Sequence, residues 1–167
     1  MPLFQPGFMA EHITDLSPAF FLERGLRAVI LDVDNTLTTH GNPVPAEGVP
    51  EWVCEMQQAG IRMTILSNNT RERVEPFARR LGLDFAAMAC KPLPFGVLRL
   101  CRRYGVRAKQ AALIGDQVFT DMVCGNLSGV CTIMVRPYQL EDGWFFRLKR
   151  RLEQPVIRRY QRRMGKK

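Results

Sequence analysis

Short runs of β-branched and aliphatic residues alternate with helix-length amphipathic stretches along this chain, and that alternation restricts it to a sheet whose parallel strands are joined by helical crossovers. Strand-like runs fall at about 27–33 (RAVILDV), 61–66 (IRMTIL), 84–88, 111–115 (AALIG) and 130–135 (VCTIMV). Amphipathic stretches fill the gaps at about 45–59, 70–81, 94–104 and 118–128, and each is followed by a glycine: Gly60, Gly82, Gly105 and Gly129. Glycine readily adopts the backbone that ends a helix, so four stops in matching places set the number of βα units. The expected fold is α/β, a three-layer Rossmann-like arrangement around a central parallel sheet. A further short helix is expected near 17–23, with Ser17 as N-cap and Pro18 at its first position; the rest of the first 25 residues carries no readable chemistry.

At 167 residues, 46% apolar and 24% charged, the chain fits one domain with a real core and falls far from the disordered class. No apolar run approaches the roughly 18 residues of a membrane span, and the N-terminus lacks the basic and apolar regions of a cleaved secretory signal. Five scattered cysteines (54, 90, 101, 124 and 131) form no C-x-x-C pair, which argues against a disulfide framework or zinc site and suits a reducing cytoplasm. The net charge of +8 is concentrated in residues 144–167, which carry ten Lys/Arg and one acid. The expected organisation is therefore a domain over 1–143 and a basic amphipathic tail over 144–167.

Ligands of open α/β sheets bind outside the carboxyl ends of the strands, and there the sequence gathers polar groups. The first strand ends in Asp32-Val33-Asp34-Asn35-Thr36, with both acids on one side if the backbone is extended. The second ends in Ser67-Asn68-Asn69, just before a helix whose N-terminal amides favour an anion. Lys91 follows the third, and Gly115-Asp116 with Asp121 follows the fourth. Crowded buried acids need a cation or proton to offset them. Acids, hydroxyls and one lysine together supply what phosphoryl transfer to a carboxylate requires: a nucleophile, a metal to neutralise charge, an acid/base and a cationic clamp.

D-x-D-x-T, a strand-end serine, a lysine and G-D-x-x-x-x-D, in that order, resemble the four motifs of the haloacid dehalogenase (HAD) superfamily. The longer stretches LDVDNTLT, ILSNN, CKPLPFG and LIGDQVFTD, with the basic tail, resemble its capless subclass IIIA group called YqeG-like, related to phosphatidylglycerophosphate phosphatases. The resemblance implies the HAD form of the Rossmann-like fold and a Mg²⁺-dependent phosphatase. It implies Asp32 as the nucleophile that forms an aspartyl-phosphate and Asp34 as acid/base, with Thr36, Ser67 and Lys91 binding phosphate. Mg²⁺ would be held by Asp32, Asp116 and the main-chain carbonyl of Asp34, with Asp121 supporting the metal site or Lys91. Asn68 joins Asp121 as a supporting residue of the site; Asn68 and Asn69 could contact substrate, with a helix N-cap at least as good a reading. Arg71, Arg73 and His40 lie near the site in sequence, though a solvated helix face and plain surface are the readings to beat.

Thirty residues separate Thr36 from Ser67 and twenty-three separate Ser67 from Lys91, too few for a cap domain that would shield the site. An uncapped site admits a phosphate presented on a large object. In the tail, Phe145, Leu148 and Leu152, and after Pro155 the positions Ile157, Tyr160 and Met164, recur at helical spacing among arginines, which suggests two short amphipathic helices. Such helices suit an anionic membrane, with the aromatic cluster Trp144-Phe145-Phe146 favouring that interface over nucleic acid; docking of the stripe on the domain itself is the plainer alternative. The expected function is phosphomonoester hydrolysis on a large or membrane-borne substrate such as phosphatidylglycerophosphate, in the cytoplasm and peripheral at the inner face of the membrane. The rival expectations are a phosphatase for soluble sugar phosphates or nucleotides and a basic-tailed RNA- or ribosome-binding protein with a vestigial site. Oligomeric state is not legible.

Overall fold

Six strands form one all-parallel sheet in the order β1-β6-β5-β2-β3-β4. They are β1 (Phe8–Ala10), β2 (Ala28–Leu31), β3 (Arg62–Leu66), β4 (Asp84–Ala86), β5 (Ala111–Gly115) and β6 (Cys131–Val135). The structure is a computed structural model that describes residues 3–139 and the backbone of 144–164, with tail side chains from 151 to 162. Five strands lie where the apolar runs predict. The sixth, β1, has only three residues and pairs Phe8 with Ile133 at the edge of the sheet; a run that short has no alternation to read.

The sheet sorts its side chains by the two-residue period of a strand. Val29 and Leu31 of β2 and Ala112 and Ile114 of β5 join a core with α2 (Val49–Gln58) and α3 (Arg71–Arg80). Ala28, Ile30, Ala111 and Leu113 face the opposite side, against α4 (Phe95–Arg103) and α5 (Val123–Ser128). The result is the three-layer, Rossmann-like arrangement expected of the HAD fold. Burial on both faces explains why the central strands read as continuous apolar runs. Ser17 caps the short α1 (Pro18–Leu22), its hydroxyl accepting from Phe20 N at 3.4 Å.

Three elements depart from the sequence expectation, each for a local reason. Helix α2 begins at Val49 instead of 45, because Gly48 takes φ 77, outside the helical region. The expected helix at 118–128 opens with one π-helical turn, Val118–Met122, before α5. The tail is one helix, α6 (Trp144–Met164), instead of two, with Pro155 inside it. Proline removes one backbone bond from a helix, but contacts on both sides of the gap hold α6 in place. Glu153 Oε1 accepts from Val118 N at 2.9 Å, Val156 and Ile157 pack on Val118, Met122 and Met134, and Tyr160 Oη donates to Gly7 O at 3.2 Å. Leu152 stays exposed, as do Arg151, Arg158, Arg159 and Arg162. The expected stripe positions Phe145, Leu148 and Met164, and the Trp144-Phe145-Phe146 cluster, lie outside the described side chains. Among the described residues no helix is long and apolar enough to cross a membrane.

Between Thr36 and Ser67 the chain forms a loop, α2 and β3, and between Ser67 and Lys91 it forms α3 and β4. Neither connection holds an additional folded unit over the site.

Candidate active site

Strand register brings the polar groups together. Leu31 pairs with Ile65 on β3 and Ile114 on β5, so Asp32, Ser67 and Asp116 leave the sheet side by side, at the point where β2 is flanked by strands running off in opposite directions of chain order. Asp32 N still donates to Ile114 O at 2.9 Å and Ser67 N to Ala86 O at 3.0 Å. Asn35 then takes φ 59, a left-handed conformation that asparagine tolerates, and the chain turns away behind Asp34.

Lys91 enters from the loop after β4, and its ammonium is almost fully buried. Nζ donates to Asp32 Oδ1 at 2.5 Å and to Asp121 Oδ1 at 2.7 Å. Asn68 sets the backbone of that lysine: Asn68 Nδ2 donates to Lys91 O at 2.9 Å, and Lys91 N donates to Asn68 Oδ1 at 2.7 Å. The Lys91–Pro92 peptide is cis. Neither asparagine caps α3, whose N-cap is Thr70. Asn69 instead donates from Nδ2 to Asp34 Oδ2 at 2.5 Å, while Asp34 Oδ1 accepts from Gly41 N at 2.8 Å and Arg73 Nη2 at 3.1 Å. Arg73 also holds Asn42 O at 2.9 Å, so the loop after Asp34 is tied to α3. Arg71 points elsewhere, pairing with Glu75 and lying over Phe85.

The π turn carries Asp121 back beneath Gly115. Its Oδ2 accepts from Gln117 N at 3.1 Å, and a Cβ on Gly115 would lie 2.3 Å from Asp121 Cγ. Only glycine leaves room for that carboxylate. Thr36 Oγ1 is buried and has no hydrogen-bond partner among the described residues, an arrangement that costs about 1–3 kcal/mol unless a ligand satisfies it. The crevice, of about 140 Å³, is lined by Asp32, Asp34, Ser67, Lys91, Asn68 and Asn69, with Gln117, Thr120 and an exposed His40 at its mouth. A larger hollow of about 440 Å³ beside Arg27, Arg62 and Tyr104 lies at the other end of the sheet and is lined by no carboxylate.

The electrostatics call for a cation. Asp32, Asp116 and Asp121 each offer a carboxylate oxygen, all within 4.8 Å of one another and all buried. Lys91 pairs with Asp32 and Asp121, and buried acids crowded this closely favour a cation among them. Burial pushes the Asp32 carboxyl up to about 6; Lys91 opposes that shift, and Asp121 adds to it. Burial also disfavours the Lys91 ammonium, but the carboxylates of Asp121 and Asp32 outweigh it and hold the lysine charged above its ordinary range. An all-oxygen donor set of this kind fits a hard divalent cation. The cluster draws in Asp121, expected as a supporting group, while the Asp34 side chain belongs to Asn69 and Arg73; its expected metal contact was through the main-chain carbonyl. Sequence reasoning left Asn69 and Arg73 undecided. Asn69 lies just before the Thr70 N-cap and Arg73 in the first turn of α3, and only the tertiary fold aims them at Asp34.

A family model described as haloacid dehalogenase-like hydrolase matches residues 41–126, the stretch that holds Ser67, Lys91, Asp116 and Asp121. The probable phosphatase YqeG of Bacillus subtilis (strain 168) is 34% identical over 154 residues, covering 92% of this chain and 90% of that protein. The chloroplastic/mitochondrial phosphatidylglycerophosphate phosphatase 1 of Arabidopsis thaliana is 23% identical over 153 residues, which span 84% of this chain and 43% of that protein. In fold, the chain is similar to the cobalt-bound form of the deoxy-D-mannose-octulosonate 8-phosphate phosphatase of Haemophilus influenzae, with a TM-score of 0.56, 16% identity, and coverage of 84% of this chain and 92% of that one. With four motifs at adjoining strand ends, a parallel three-layer fold and a relative alike over nearly its whole length, the chain belongs to the haloacid dehalogenase-like hydrolases.

Proposed function

We propose that the protein is a Mg²⁺-dependent phosphomonoester hydrolase that works through an aspartyl-phosphate on Asp32 and accepts a phosphate carried on a large or membrane-borne molecule, of the phosphatidylglycerophosphate class. The observation that carries this reading is the Asp32 carboxylate, held by Lys91 at 2.5 Å inside an acid cluster and open to an uncapped crevice. Asp32 attacks phosphorus as the ester P–O bond breaks, and Asp34 donates the proton that the leaving oxygen takes up. Asp34 then accepts a proton from the water that hydrolyses the aspartyl-phosphate, which restores Asp32. Lys91, Ser67 and the otherwise unsatisfied Thr36 hydroxyl bind the phosphoryl oxygens. Asn69 and Arg73 hold Asp34 in place before substrate arrives. Mg²⁺, held by Asp32, Asp116 and the Asp34 main-chain carbonyl with Asp121 in support, would neutralise phosphate charge.

The membrane assignment rests on the outer face of α6, where Arg151, Arg158, Arg159 and Arg162 are exposed. Each basic residue near an anionic surface contributes about 1 kcal/mol, and that face suits a lipid headgroup better than a free metabolite does. Because α6 packs on the domain through its other face, removing residues 144–167 would also expose Val118, Met122 and Met134. The test therefore keeps the helix and replaces those four arginines with glutamine. Phosphate release is measured with Mg²⁺ on a soluble aryl phosphate and on phosphatidylglycerophosphate in anionic vesicles, for wild type, Asp32→Asn and the four-arginine variant. Release from vesicles that falls more than tenfold in the arginine variant, with aryl phosphate turnover unchanged, is the expected result. Unchanged release from both substrates in the arginine variant would favour a phosphatase for soluble sugar phosphates or nucleotides. No release by wild type from either substrate would overturn the enzymatic reading and favour a binding protein for RNA or ribosomes.

A further inference from the structure

The C-terminal stretch 144–167 contains ten Lys/Arg and one acid, Glu153. Every tail arginine with a described side chain faces solvent, yet this acid has no exposed surface at all. Burying a carboxylate costs several kcal/mol unless something compensates it, so its position calls for an explanation. Part of that compensation comes from the loop that carries Asp116 and Asp121: Glu153 Oε1 accepts the Val118 N–H at 2.9 Å. Val118 opens the π turn, lying two residues after Asp116 and three before Asp121. The same turn holds Asp121 through Gln117 N, and Asp121 holds Lys91. On the helix side the anchor is backed by Val156 and Ile157, which pack on Val118 and Met122. A leucine in place of Glu153 would match those apolar neighbours but could not accept the Val118 N–H.

We infer that Glu153 is a positioning residue for the reaction: by accepting the Val118 amide it sets the 116–121 loop that presents Asp116 and Asp121, so the C-terminal helix is part of the catalytic unit. The inference rests on the proposed Mg²⁺ site, and it makes the tail more than an attachment surface. Without the anchor, the loop samples positions in which Asp116 and Asp121 no longer converge with Asp32. Mg²⁺ binding weakens, and the effect on kcat exceeds the effect on KM for a small substrate.

The test compares wild type, Glu153→Gln, Glu153→Asp and Glu153→Leu, each at least 15 °C below its own Tm. Two readouts do not require turnover: the rise in Tm as Mg²⁺ is titrated into the metal-free protein, and amide hydrogen exchange over 116–122. Expected for Glu153→Leu are a Mg²⁺ requirement raised about tenfold, exchange of the 116–122 amides faster by a similar factor, and an aryl phosphate kcat reduced about tenfold with KM within twofold. Glu153→Gln, whose amide oxygen can still accept the Val118 N–H, is expected to restore most of each loss. If the leucine variant does not fold, Glu153→Asp carries the test, since it keeps the charge but withdraws the carboxylate by one methylene. A lower Tm with wild-type Mg²⁺ response and unchanged loop exchange in the folded variants would overturn the inference, because a purely structural anchor predicts that pattern. Failure of the phosphatase reading is separable: wild type would then release no phosphate, while the Mg²⁺ and exchange comparisons would still report on Glu153.

Discussion

Replacing Gly115 with alanine tests whether the geometry around Asp121 is what the site depends on. The added Cβ would lie 2.3 Å from Asp121 Cγ, 2.5 Å from Oδ2 and 2.6 Å from its Cβ. Ordinary carbon contacts are about 3.5–4.0 Å, so Asp121 must retreat by more than about 1 Å. Overpacking of this kind costs about 1–3 kcal/mol. Retreat also breaks or stretches the bonds to Lys91 Nζ at 2.7 Å and Gln117 N at 3.1 Å, and a hydrogen bond to a charged group contributes about 1.5–3 kcal/mol. The combined loss is on the order of 3–5 kcal/mol, and at about 2–4 °C per kcal/mol for a chain of this size the melting temperature should fall by roughly 10 °C. Misplacing a catalytic group by about 1 Å can cost on the order of 100-fold in rate, so kcat should fall by about that factor when assayed well below the transition. Calorimetry and Mg²⁺-dependent phosphate release make the two measurements. Gly96→Ala is the control, because the nearest atom its Cβ would meet is a terminal methyl of Leu66, at 3.0 Å instead of 2.3 Å, within a helix that gains from alanine. A Gly115→Ala protein with a melting temperature within 2 °C of wild type and unaltered turnover would refute the packing argument.

The remaining predictions concern charge. Asp32→Asn should abolish phosphate release, and it also changes the pH dependence of stability. The folded protein holds the Asp32 proton up to about 6, whereas an unfolded chain releases it near 3.9. Between those values the native state binds more protons, so this group makes stability fall as pH rises from about 4 to about 6. In metal-free buffer Asp32→Asn should lack that fall and melt above wild type at pH 7; parallel melting curves from pH 4 to 7 would count against it. Asp116→Asn should raise the Mg²⁺ concentration for half-maximal activity at least tenfold, and an unchanged Mg²⁺ dependence would show that the ligand is misassigned. Raising ionic strength from 0.15 M to 1 M shortens the screening length from about 8 to about 3 Å. Vesicle turnover should drop across that range while aryl phosphate turnover holds, and equal salt sensitivity would remove the case for a membrane surface.

What was legible in advance follows from how local each signal is. Burial on both faces makes β2 and β5 apolar throughout and β3 and β6 mostly so, and a glycine after each intervening helix marks its end, so these elements can be read from a few neighbours in sequence. The acids and the lysine at strand ends could be picked out because buried charge is rare and their order is unusual. Phe8–Ala10 could not, since a three-residue edge strand exists only through its partner β6. The π turn escaped notice as well: its bonds from Asp121 and Met122 back to Gln117 O place Asp121 under Gly115, a demand made by the sheet and not by local propensity.

The sequence by itself determined the α/β class, the parallel sheet and the family of chemistry, because periodicity and charged groups at strand ends are written in the chain. Only the tertiary structure decided the partners: Asn69 and Arg73 on Asp34, Asn68 on the Lys91 backbone, and α6 lying as one helix across Pro155 with Glu153 buried against Val118. Amphipathic spacing states that a helix has an apolar face, but the surface that accepts it is made by distant segments. A basic tail with one acid therefore reads as amphipathic helices for a membrane surface until the fold buries that acid against Val118.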